Sequence, residues 1–106
     1  MRLPPELTLG RFSAMTEDAA SVFRHEYGHH LKDNLFALGK KREFQQWETI
    51  YKSKPKGWWN MKVSGYGSSN SSEAFSESFA AYSSPKYTSG ALPKEVEKFF
   101  KNLLGA

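Results

Sequence analysis

The run His25-Glu26-Tyr27-Gly28-His29 sets two imidazoles four residues apart, with a carboxylate beside the first. On a helix, residues four apart share one face, so both rings can reach a single ion. Glu26 then falls next to the water that such an ion activates and can accept its proton. The chemistry implied is zinc-assisted hydrolysis, with His25 and His29 as ligands and Glu26 as general base. A third protein ligand is still required. The chain has three histidines, and the third, His30, lies about 100° round the helix from His29. It should miss the ion and occupy a surface or partly buried position. With no cysteine in the chain, the missing ligand must be Asp or Glu.

Several acids are poorly placed for that role. Asp33 sits on the same helix one turn past His29. Glu43 and Glu48 stand on a charged stretch without polar companions. Glu95 and Glu97 alternate with lysines, as a solvated face does. Glu73 and Glu77 are four apart on one face, which Ala80 continues, while Phe75, Phe79 and Tyr82 take the other side. That face could pack on the metal helix, with Glu73 as ligand and Glu77 orienting a ligand histidine from behind. The spacing alone equally allows both acids to face water.

The elements that must position these residues are mostly helical. Residues 1–15 read as irregular because Pro4-Pro5 and Gly10 interrupt them. Thr16 suits an N-cap. A helix is expected from there to about Leu38, with Ala19, Val22, Phe23, Tyr27, Leu31, Leu35 and Leu38 as its apolar positions and Gly39 closing it. A second is expected over 41–52, with Phe44, Trp47, Ile50 and Tyr51 inward. Residues 58–67 read as extended or looped, and Trp58 and Trp59 as packing residues. Asn70 is placed to cap a third helix over 71–82, stopped by Ser83-Ser84-Pro85. A fourth starts at Pro93, as N1, with Val96, Phe99, Phe100, Leu103 and Leu104 as its stripe. The fold class is mainly α, with minimal room for a sheet.

The chain has 106 residues, which suits a single domain over 1–106. Eight Phe, three Trp and five Tyr supply aromatic area for one core. No apolar run approaches the roughly 20 residues that span a bilayer, and the start lacks a secretory leader. No membrane partner is expected, and a cytoplasmic or phage-associated setting is favoured. The absence of cysteine excludes disulfides and thiolate metal sites. A net charge of +4, with basic runs at 40–42 and 52–56, admits nucleic acid as a partner. No nucleic-acid motif accompanies those runs, so a solvated surface explains them more simply.

The two halves of this pattern together resemble a known family. His25-Glu-Tyr-Gly-His29, followed by Ser64-Gly-Tyr66-Gly, then Asn70 and Glu73-Ala-Phe75-Ser-Glu77-Ser-Phe79, is similar to the anthrax lethal factor-like peptidase domains of bacterial toxins and phage-related proteins. The resemblance covers about residues 20–104, and Leu92-Pro-Lys-Glu-Val-Glu-Lys-Phe-Phe looks like the family's closing helix. It implies a zincin-like fold of the gluzincin type, with zinc held by His25, His29 and Glu73. It implies Glu26 as base, Glu77 as an acid behind a ligand, and Tyr66 as a donor to the developing oxyanion or leaving group. A protein or peptide substrate follows. Only 24 residues precede His25, whereas the family carries strands upstream that line the substrate cleft. The expectation is therefore a shortened N-terminal subdomain. Two other functions compete with the peptidase. One is a zinc-stabilised binding module without hydrolysis. The other is a basic helical domain that binds nucleic acid, its HExxH being accidental.

Overall fold

The computed structural model describes residues 17–63 and 70–105. Five helices, and no strand among the described residues, make up the architecture: α1 Glu17–Asp33, α2 Lys41–Lys52, α3 Lys56–Lys62, α4 Ser71–Tyr82 and α5 Lys94–Leu104. The mainly helical expectation stands. The irregular reading of 1–15 and the Thr16 cap lie outside the described residues.

Helices α2 and α4 begin and end where the sequence signals place them. Asn70 is extended, and its side-chain oxygen accepts the Glu73 N–H at 2.8 Å, which satisfies one orphan donor of α4. Helix α5 starts one residue later than expected, with Pro93 as its N-cap rather than N1. Its stripe of Val96, Phe99, Phe100, Leu103 and Leu104 is buried throughout.

Two expectations fail. Helix α1 stops at Asp33, not Leu38. At that point the Asn34 side-chain amide joins its own N–H on the His30 carbonyl, at 2.7 and 3.2 Å, and the next N–H, of Leu35, reaches back only three residues to Lys32. The chain then runs through turns to Gly39, whose φ of 75° favours glycine. The stretch read as extended from Trp58 instead contains α3. Pro55 is its extended N-cap, so the proline initiates the helix rather than blocking it.

The core gathers around Trp47 of α2, which is fully buried. Its ring lies 5.1–5.6 Å from those of Trp59, Phe75, Phe99 and Phe100, so one indole joins α2, α3, α4 and α5. Full burial of a large apolar side chain contributes about 1.5–3 kcal/mol, and offset aromatic pairs add to it. Trp59 is also fully buried and Trp58 half-buried, as packing residues should be.

Helix α1 departs from its expected stripe. Leu31 and, in the turn beyond the helix, Leu35 are buried as expected and Tyr27 packs on the core, but Ala20, Arg24 and Gly28 also face inward, while Val22 is 64% exposed and Phe23 and Leu38 are exposed too. The inward face has small residues because α1 lies against the backbone of α4. A Cβ on Gly28 would stand 2.9 Å from the Ser76 Cα, closer than side chains pack.

Candidate metal centre

Helices α1 and α4 make the most extensive helix pair, and their contacts run antiparallel. Arg24 Nε donates to the Ala80 carbonyl at 3.3 Å, His25 meets Glu77, Gly28 meets Ser76, and His29 meets Ser72 and Glu73. The close approach at Gly28 is what lets short side chains on both helices converge. His25 and His29 project from α1 toward α4 because they share a face four residues apart.

The His25 and His29 Nε2 atoms lie 3.2 Å apart. The Glu73 carboxylate closes the group, with Oε2 3.3 Å from His25 Nε2 and Oε1 2.9 Å from His29 Nε2. Tetrahedral bonds of about 2.0–2.1 Å to zinc would space ligand atoms about 3.3 Å apart. The imidazole nitrogens are about that far apart, and each lies near that distance from a different oxygen of the Glu73 carboxylate; one ligand atom from each of the three residues falls within 4.8 Å of the others. His25, His29 and Glu73 are the one group among the described residues whose donor atoms gather this way.

The outer faces of both imidazoles are held as well. His25 Nδ1 lies 2.6 Å from Glu77 Oε2, and His29 Nδ1 lies 3.0 Å from the Ser72 hydroxyl. An ionised carboxylate only accepts, so the proton of a neutral His25 sits on Nδ1 and its Nε2 lone pair points inward. Lone pairs of two nitrogens and a carboxylate facing one another repel unless a proton or a cation lies among them. This donor set, with no sulfur and one carboxylate, fits zinc.

No family model, curated protein or solved structure matches the chain. His25, His29, Glu73 and Glu77 come together. Glu26 is exposed on the wall of an open cleft of about 730 Å³ that His25, Asn70, Glu73 and Glu77 also line. Tyr66 lies outside the described residues. His30 is exposed, as its helical position requires, and so is Asp33.

Four residues escaped sequence reasoning. Ser72 was overlooked because hydroxyls are common, although its place next to Glu73 on a capped first turn was a usable signal. Val22 was assigned to the core, yet it lines the cleft beside Glu26. Glu48 was set aside as lacking polar companions. Its Oε1 instead accepts from Lys32 Nζ at 3.0 Å and from the Ser71 hydroxyl at 2.8 Å. Burial pushes the Glu48 carboxyl up, but those two hydrogen bonds and the charges of Lys32 and Lys52 outweigh it, and the net shift is downward. Glu97 is likewise more than a solvated acid: it accepts from Tyr87 at 2.8 Å and from the Gly90 N–H at 3.1 Å.

Proposed function

We propose that this chain is a zinc-dependent peptidase of zincin-like type, acting on protein or peptide substrates. The observation that carries the reading is the convergence of the His25, His29 and Glu73 donor atoms within 4.8 Å of one another, with both imidazoles held from behind. Zinc bound by those three residues would supply Lewis acidity, lowering the pKa of water and polarising a peptide carbonyl.

The remaining roles belong to the chain. Glu26 would accept a proton from the attacking water on its carboxylate and deliver it to the leaving amine nitrogen. Glu77 would retain the Nδ1 proton of His25 and fix the ring's orientation. Ser72 would do the same for His29 through a neutral, weaker bond. By the resemblance, Tyr66 would donate to the oxyanion or the departing amine.

Glu26→Gln tests this reading. The variant should bind one zinc ion per chain, as the parent does, and lose cleavage of a peptide library read by mass spectrometry. A parent without stoichiometric zinc would overturn the metal centre. Undiminished cleavage by the variant would overturn the base.

A zinc-stabilised binding module is the second reading. Among the described residues, the cleft draws its walls from α1, Asn70 and α4. Zinc-loaded protein that cleaves nothing in the library would favour it.

A further inference from the structure

The pair Lys32–Glu48 touches neither the cleft nor the metal ligands, yet it joins the two turns that carry them. Lys32 is one turn beyond His29 on α1 and only 7% exposed. Its Nζ donates to Glu48 Oε1 at 3.0 Å, and its aliphatic end brings the ammonium 4.5 Å from the centre of the Phe44 ring. The same Glu48 oxygen accepts the Ser71 hydroxyl. The neighbouring residue, Trp47, donates its indole N–H to the Ser71 carbonyl at 2.9 Å. Two successive side chains of α2 thus grip both oxygens of the first residue of α4. The next two residues are Ser72, which holds His29, and Glu73, the third donor of the triangle.

We infer that Glu48, with Lys32 and Ser71, is a positioning device that sets the register of α4 against α1 and so the separation of Glu73 from the two imidazoles. The inference rests on the metal reading above. The Arg24–Ala80 hydrogen bond and the close Gly28–Ser76 approach hold the two helices at one end and at the middle of their shared face. Glu48 supplies a further polar point near the other end, at the first turn of α4. Its hydrogen bonds have directions, so they fix register where apolar contact does not. A half-buried carboxylate that accepts from a buried ammonium is costly to keep for stability alone, since an apolar pair of similar volume commonly does as well. Holding Ser71 is what the apolar pair could not do.

The test separates positioning from simple stabilisation. Glu48→Ala should weaken Zn2+ affinity tenfold or more, measured by competition with a chromophoric chelator. It should also lower the melting temperature of the chelated protein, because Lys32 loses its partner. The double variant Lys32→Met with Glu48→Leu removes the stranded charge and should restore that melting temperature to the parent's. Zn2+ affinity should nevertheless stay weakened, because the Ser71 hydroxyl is still unheld. Ser71→Ala, which cuts only that end, should weaken Zn2+ binding in the same direction.

Recovery of parental Zn2+ affinity in the double variant, in step with its stability, would overturn the inference. So would unchanged affinity in both Glu48→Ala and Ser71→Ala. A parent that binds no zinc fails at the earlier step and is distinguished from either result.

Discussion

Replacing Gly28 by alanine is the sharpest probe of how the centre is assembled. On an isolated helix this change is favourable by about 1 kcal/mol, since glycine is the poorer helix former. In the folded protein the new methyl would stand 2.9 Å from the Ser76 Cα, 3.2 Å from the Ser76 carbonyl oxygen and 3.3 Å from Phe79 Cδ2. Two of those neighbours are backbone and cannot rotate away. The helices must part by about 0.5 Å or more to reach ordinary contact, and such overpacking costs about 1–3 kcal/mol. Because two of the neighbours are backbone, the cost falls in the upper part of that range, about 2–3 kcal/mol, and the propensity gain leaves a net loss of about 1–2 kcal/mol. For a domain of this size that lowers the melting temperature of the chelated protein by about 5–10 °C. The same separation acts on the 2.9–3.3 Å gaps between the imidazoles and Glu73, so Zn2+ affinity should fall about tenfold. Thermal melts with and without chelator, with a Zn2+ titration, give both numbers. A Gly28→Ala variant as stable as the parent, or more so, would show that α1 and α4 do not approach this closely.

Other perturbations rank the supporting residues. Glu77→Gln should weaken Zn2+ binding by about 10–100-fold, and Ser72→Ala by less, because a charged acceptor holds its histidine more firmly than a hydroxyl; equal losses would reject that order. Asn70→Ala should cost about 1 kcal/mol in denaturant unfolding, from the lost Glu73 N–H cap, and an unchanged midpoint would show the cap to be idle. Acid should also loosen the chelated protein. The Glu48 and Glu97 carboxyls lie below their ordinary value of 4.5 in the folded chain, so their stabilisation is complete above that pH and disappears as pH falls through the lowered values. Glu97→Gln should flatten the decline in melting temperature measured between about pH 6 and pH 3, and a decline as steep as the parent's would remove Glu97 from the account.

Local signals carried the sequence reading a long way. Asn70 and Pro85 bracket α4, and the four-residue spacings of His25 with His29 and of Glu73 with Glu77 bring those residues to one place. Signals that depend on distant partners were not legible. Glu48 looked solitary because its companions lie 16 positions before it and 23 after it. The buried side of α1 was misjudged because Val22 and Phe23 are more apolar than Gly28, whereas close helix packing selects for smallness. Helix α3 was not legible because it is only seven residues long and opens on Pro55 and Gly57, which weaken a helical pattern. The end of α1 falls just before Asn34, and hydrophobic periodicity does not register a side-chain amide.

His25 and Glu77 meet across 52 positions of a chain that contains no cysteine. Unlike a covalent bridge, a hydrogen-bonded clasp between such remote points is lost on unfolding, so it holds only while the whole fold brings its ends together. Thiol reductants have nothing in it to break, and under the zinc reading proposed above a chelator is the agent that should loosen it.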